Sequence, residues 1–286
     1  MKRLTLLFLT VLAIVSFTSA RTRVSFQLSG GLNYATGGDL ARGIRGYNAY
    51  LKNEFNAADG FEVPVLGFQF AGEFLYHFSD RIAAGLSVGY FEHMKESKTE
   101  YEYIGIIDVG ETIRPKFRVF PITADVHYDL SLGGSLHLDL STGAGCYLVW
   151  LNYIHRQDLS LFGFSGSDVY SFESFRTGFG VHGGIGLEWV IDPKFSVLLN
   201  ITGRLASVTG FIGDWTEKGR GDFWDFEESG TNHRIWYVRQ IVYSRTYDVL
   251  AFDEKEPEED EYENIRQARL GLSGFAVTLG FKIGLF

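Results

Sequence analysis

The sequence predicts an all-β fold, a transmembrane antiparallel up-and-down β-barrel of about eight strands. Three observations lead there. Large apolar residues alternate with small or polar ones at a period of two along most of the chain. Short and long connections take turns between the alternating segments. After the first twenty residues, no apolar run is long enough for a membrane helix. The composition agrees, with 34 Gly, 25 Phe and 15 Tyr in 286 residues. Cys146 is the single cysteine, so hydrogen bonding and packing must close the fold without an internal disulfide.

The start of the chain reads as an export signal. Lys2 and Arg3 give a short positive region, residues 4–17 an apolar one, and Thr18, Ser19 and Ala20 a small-residue cleavage site. The mature chain is then one domain, 21–286.

Eight alternating segments follow. The first sets Val24, Phe26, Leu28, Leu32 and Tyr34 against Ser25, Gln27, Ser29, Gly31 and Asn33. The second sets Leu66, Phe68, Phe70, Phe74, Tyr76 and Phe78 against Gly67, Gln69, Ala71, Glu73 and His77. Ile82, Leu86, Val88 and Tyr90 mark the third. In the fourth, Phe120, Ile122, Val126, Tyr128 and Leu130 oppose Thr123, Asp125, His127 and Asp129. The fifth alternates Leu136, Leu138, Leu140, Ala144, Cys146, Leu148 and Trp150 with His137, Asp139, Ser141 and Gly143. The sixth alternates Phe175, Phe179, Val181, Ile185, Leu187 and Trp189 with Gly178, Gly180, His182, Gly184 and Glu188. The seventh places Phe195, Val197, Leu199, Ile201 and Leu205 against Asn200, Thr202 and Arg204. The eighth places Phe275, Val277, Leu279, Phe281, Ile283 and Leu285 against Thr278, Gly280, Lys282 and Gly284.

Size decides which face points outward. An eight-strand lumen is barely wide enough for side chains, so it cannot hold this many Phe, Leu and Trp. The opposite face is too small and sparsely charged to be a water-facing coat. Apolar outside and small or polar inside is the transmembrane pattern. Turns at 79–81, 131–134 and 192–194 belong on the periplasmic side. Connections at about 35–63, 93–116, 155–170 and 210–268 form long extracellular loops. Within the first loop Leu40, Ile44, Tyr47, Leu51 and Phe55 recur at helical spacing, which predicts a short amphipathic helix on the outer rim. Residues 233–252 are rich in β-formers and read as a β extension above the membrane. Tyr76, Phe78, Tyr128 and Trp189 fall near the turn side, and Tyr34, Tyr90, Trp150 and Phe175 near the loop side, as two aromatic girdles.

With the export signal, the eight segments, the turn and loop asymmetry and the ending GFAVTLGFKIGLF in place, the mature chain resembles the small bacterial outer-membrane β-barrels, of OmpA/OmpX type or the porin-family barrels. The stretch VFPITADVHYDL, 119–130, is similar to a Pro-then-alternating strand common in them. One departure stands out. Terminal Phe286 shares parity with Gly284, Lys282 and Gly280 rather than with Leu285, Ile283 and Phe281. The resemblance implies the outer membrane of a diderm bacterium, with membrane lipid, lipopolysaccharide and the barrel-assembly machinery as partners. The roles it implies range over anchoring, adhesion, solute passage and lipid modification.

Candidate chemistry is sparse. Glu73, Asp125, His127, Asp139, His182, Glu188, Arg204 and Lys282 fall on the inward face and form a lumen polar network. Buried charges there pair and fill a closed barrel, or line a path through it. His77, His127, His137 and His182 lack any short ligand spacing, so no metal or other cofactor is expected. Ser141, His182 and Asp139 could supply a nucleophile, base and acid, but on the lumen side, away from acyl chains. The G-x-G-x-x-G letters at 178–183 lie inside a strand with no helix after them, so they make no dinucleotide site. Of the net charge of −9, most comes from Asp253, Glu254, Glu256, Glu258, Glu259, Asp260, Glu261 and Glu263, a mobile acidic crest with at most weak cation binding. The remainder is nearly balanced, which excludes a nucleic-acid footprint. The expected role is a structural or surface-interaction protein acting through its extracellular loops, and not an enzyme. A narrow channel for small solutes is the first alternative and a lipid-modifying enzyme the second.

Overall fold

The structure, a computed structural model, describes residues 23–57, 59–222, 224–243, 245–258, 260 and 262–285. The export signal, Phe286, Glu259 and Glu261 lie outside the described residues. Among the described residues fourteen strands and one helix follow in order: β1 (Arg23–Ala35), α1 (Gly38–Phe55), β2 (Leu66–His77), β3 (Ile82–Met94), β4 (Ser97–Tyr103), β5 (Ile107–Gly133), β6 (Leu136–Leu161), β7 (Phe164–Asp192), β8 (Phe195–Thr209), β9 (Ile212–Gly221), β10 (Asp225–Val242), β11 (Arg245–Asp253), β12 (Tyr262–Gln267), β13 (Arg269–Gly271) and β14 (Gly274–Gly284).

Eight of these strands close on themselves. The antiparallel neighbours run β1, β2, β3, β5, β6, β7, β8, β14 and back to β1, where Leu28 pairs with Phe281. Closure satisfies every ladder and leaves the ring without an edge. Side-chain parity follows the sequence pattern. Phe68, Phe179 and Leu205 are 67%, 79% and 70% exposed on the outside, within a continuous belt of Leu, Val, Ile and Phe. Ser25, Gln27, Thr123, Asp125, Ser196 and Thr278 are buried within.

The other strands build an extension on the loop end. β5, β6 and β7 continue past the ring; β4 pairs with the far part of β5, and β9 with the far part of β7. β10 adds to β9 and carries β11 and β12. Three of the predicted loops are therefore largely strand, the longest of them, 210–268, holding β9 to β12. In 155–170 the chain turns over Phe162 and Gly163 alone, both at positive φ (47° and 87°), a two-residue hairpin whose twist matches its strands. In 93–116 the chain forms the β4–β5 hairpin.

The predicted helix forms, but it does not sit on the rim. α1 packs into the concave side of the extension, against β11 and β13. Leu40, Ile44 and Leu51 are buried there, with Tyr47 and Phe55 partly so. Its entry is fixed by Asp39 in the first turn, whose carboxylate accepts hydrogen bonds from Arg266 and, at 2.8 Å, from the Arg269 backbone N–H. Close approach needs small residues on the helix. A Cβ on Gly46 would collide with the backbone of Asp248, and one on Gly43 with Leu250.

Candidate functional site

Along β5, β6 and β7 the parity of the strand never changes, but its polarity does. On β5 the inward residues Thr123, Asp125 and His127 give way to Val119, Phe117 and Ile113, while outward Ile122 and Phe120 give way to Arg118, Lys116 and Arg114. On β6, outward Leu148 and Trp150 are followed by Asn152 and Arg156, as inward Leu151 and Tyr153 become core. The inversion falls at one level. Tyr90, Phe120, Trp150 and Phe175 form a row of ring contacts at 5.0, 5.2 and 4.6 Å across four strands. Polar groups stand immediately above it: Glu92 accepts from Tyr90 (2.6 Å) and meets Arg118 (3.1 Å) and Lys116 (3.0 Å). Below this row the outer face is apolar and the inner one polar. Above it the arrangement is that of a water-soluble sheet.

All eight predicted lumen residues lie in the barrel, and they sort into separate groups. His127 bridges Glu73 and Asp139, at 2.9 Å on each side. His182 pairs with Asp125, which also accepts from Thr123 at 2.8 Å. Lys282 pairs with Glu188, which Ser196 contacts at 2.5 Å. Inward glycines make room for these groups. A Cβ on Gly143 would run into Asp125 and His182, and one on Gly85 into the Glu73 carboxylate. The pairing separates the residues that could have formed a nucleophile set, since Asp139 holds His127 while His182 holds Asp125.

Arg204 has no carboxylate among these partners. Its side chain donates to the Leu272 carbonyl (2.8 Å) and to Asn33 (3.2 Å), and its guanidinium lies 4.3 Å from the centroid of Phe91. Sequence reasoning overlooked Asn33, which also meets His93 (3.0 Å) and Gln69 (2.5 Å). Two smaller pairs near the turn end, Ser25 with His77 and Asp129 with His137, were legible only as inward parity.

This layer lies across the lumen at the level of Arg204. Beneath Arg204 a polar cavity of about 110 Å³ remains, bordered by Glu73, Asp125, His127 and His182. Above it, Phe91, Phe117, Val119, Val149 and Phe172 are each fully buried and pack as one core with Leu270, Leu272 and the buried face of α1. The fully buried His93 is set within that packing, stacked on Phe117 at 4.7 Å.

A second grouping lies in the extension. Glu111, on the inward face of β5, is 1% exposed. It accepts hydrogen bonds from the hydroxyls of Tyr101 (2.6 Å) and Tyr47 (2.9 Å), and from His155 (3.1 Å). Burial pushes its carboxyl up, but the bonds from His155, Tyr101 and Tyr47 outweigh this and hold it below the usual range. Burial and the nearby carboxylate push the Tyr47 and Tyr101 phenols well above theirs. Beside Glu111 opens a chamber of about 420 Å³ with aromatic walls. Its residues fell in predicted loops; Tyr101 and Glu111 share a parity across β4 and β5, a signal that alternation could have given. The acidic crest gathers nothing comparable. Asp253, Glu254, Glu256, Glu258, Asp260 and Glu263 are exposed, and among the described residues no three His, Cys, Asp or Glu converge to hold a metal ion.

No family model and no curated protein matches the chain. Among solved structures it is similar to outer-membrane β-barrel proteins. OprG from Pseudomonas aeruginosa is 11% identical, with a TM-score of 0.35 over 93% of this chain and 98% of that one. A major outer membrane protein from Thermus thermophilus is 10% identical, with a TM-score of 0.36 over 92% and 99%. Ail, the attachment invasion locus protein of Yersinia pestis, is 11% identical, with a TM-score of 0.28 over 92% and 97%.

Proposed function

We propose that the protein is an outer-membrane barrel with a sealed lumen, which anchors a surface domain built from its own extended strands and acts through that domain. The observation that carries the proposal is the polarity inversion. A belt of exposed Leu, Val, Ile and Phe is stable only against lipid, and the polar outer face above it only against water. On β5 the belt runs from Phe120 to Tyr128, which at ~3.3 Å per residue and a tilt of ~40° spans about 20 Å, close to the apolar band of such barrels. Lipid and lipopolysaccharide are then the partners of the belt. The buried core over Arg204 supports a barrel that holds rather than conducts.

The 110 Å³ polar cavity favours a second reading, a narrow conduit opened by movement of the core. Conductance of the refolded protein in a planar lipid bilayer separates the two. The sealed barrel gives a silent bilayer although the protein has inserted. Stable unitary currents from the native chain overturn sealing and establish the conduit.

A further inference from the structure

The chamber beside Glu111 has the chemistry of a receptor for an organic cation. Its walls carry Tyr47, Tyr50, Phe55, Tyr101 and Tyr103, its floor carries Glu111, and among the described residues no Lys or Arg lines it. The rings hold one another in place. Phe55 lies 5.0 Å from Tyr101 and 5.5 Å from Tyr103, and Tyr50 lies 5.4 Å from Phe55. α1 supplies Tyr47, Tyr50 and Phe55, the β4–β5 hairpin supplies Tyr101, Tyr103 and Glu111, and β6 adds Gln157 and Leu159, so the chamber exists only because the helix is docked.

Two features select the ligand class. First, the polar groups at the floor are already engaged with one another, which leaves the Tyr50 and Tyr103 hydroxyls as the hydroxyl groups on the walls. Both Glu111 oxygens accept hydrogen bonds, from Tyr47, Tyr101 and His155, with Gln157 at 3.4 Å. What the chamber offers a ligand is chiefly ring surface and negative potential, with no cation of its own among the described lining residues. Second, a phenol that donates to a carboxylate becomes more electron-rich, which strengthens the attraction of its face for a cation. Glu102 and Asp108, paired directly across the same hairpin on its other face, add to the negative field. A chamber of about 420 Å³ falls within the range of small-ligand sites and accommodates a trimethylammonium group.

We propose that this chamber binds a quaternary or methylated ammonium group presented at the cell surface, caged by the tyrosine and phenylalanine rings and balanced by the Glu111 carboxylate. The proposal deepens the surface-domain reading and rests on it, since the chamber must face the medium.

The test is calorimetric titration of the full chain with choline chloride in a polyoxyethylene detergent, which carries neither choline nor sugar. The neutral isostere 3,3-dimethylbutan-1-ol and methyl glucoside serve as comparison ligands. Choline should bind saturably at one site, and the isostere at least about tenfold more weakly, because the shapes match and only the charge differs. Tyr103→Leu should weaken choline about tenfold, while Tyr103→Phe, which keeps the ring, should retain it. Tyr103 is exposed, and a shift in SDS migration between unheated and heated samples reports whether each variant still holds its barrel. No choline binding at tens of millimolar, equal binding of the isostere, binding of methyl glucoside alone, or an unaffected Tyr103→Leu would each overturn the proposal. A silent bilayer beside a failed titration removes the cation site and leaves the anchored surface domain standing. A conducting native barrel removes the sealed-lumen reading whatever choline does.

Discussion

At the scale of single residues, the two buried carboxylates that organise the surface domain are Glu111 and Asp39. Both are held below the ordinary carboxylate range: burial opposes this, but hydrogen bonds from His155, Tyr101 and Tyr47 in one case, and from Arg266 and Arg269 in the other, prevail. A folded-state pKa below the unfolded one contributes stability above the unfolded value, about 4, and that contribution disappears as pH falls through the folded value. The surface domain should therefore loosen in acid below about pH 4 while the barrel persists. Near-ultraviolet circular dichroism, dominated by the packed rings, should lose intensity there, and Glu111→Gln should shrink the acid step. An aromatic signal unchanged down to about pH 2, well below the ordinary carboxylate range, would mean that these carboxylates do not hold the chamber together. Arg204 makes a different point at the same scale. A buried guanidinium was expected to face an acid, and it rests instead on a carbonyl, an amide and a ring, partners that single-residue parity could not reveal.

At the scale of elements, the strands of the ring were readable because its outer and inner faces carry opposite polarity on alternate side chains. That contrast is what a period of two records. Above the aromatic row the contrast reverses instead of vanishing. Inward Val119, Phe117 and Ile113 continue the odd parity of β5 as core, and the sequence from 107 to 119 then resembles an unpatterned loop to a reader expecting apolar residues at even positions. The helix was legible through Leu40, Ile44, Tyr47, Leu51 and Phe55, but its partner was not. Gly43 and Gly46 are what permit its seat against β11, and spacing alone does not say which surface a glycine approaches. Gly46→Ala should accordingly displace α1 without opening the ring. Amide hydrogen exchange in 38–55 should rise toward that of an exposed helix, with β1 and β14 still protected. Unchanged protection of the helix would show that its seat does not depend on that contact.

At the scale of the whole molecule, one continuous set of strands carries two opposite polarities. Below the aromatic row the ring has the inside-out polarity that the proposed lipid setting requires; above it the same strands surround a core that includes the buried face of α1. On the proposed reading the seal and the surface domain are one structure, and weakening the seal is the sharpest way to separate anchor from conduit. The turn-side cavity beneath Arg204 is already polar, so the packing around Phe91 and Phe117 is the barrier that remains. Replacing both, Phe91→Ser with Phe117→Ser, removes two fully buried rings and admits water where a purely apolar cavity would stay dry. The double variant should pass small, flickering currents in a planar bilayer where the native chain is silent, and Glu73→Gln added to it should change their ion selectivity. If the double variant inserts and is also silent, the seal extends beyond these two rings into the docked helix, and Gly46→Ala on the same background should then be what opens it.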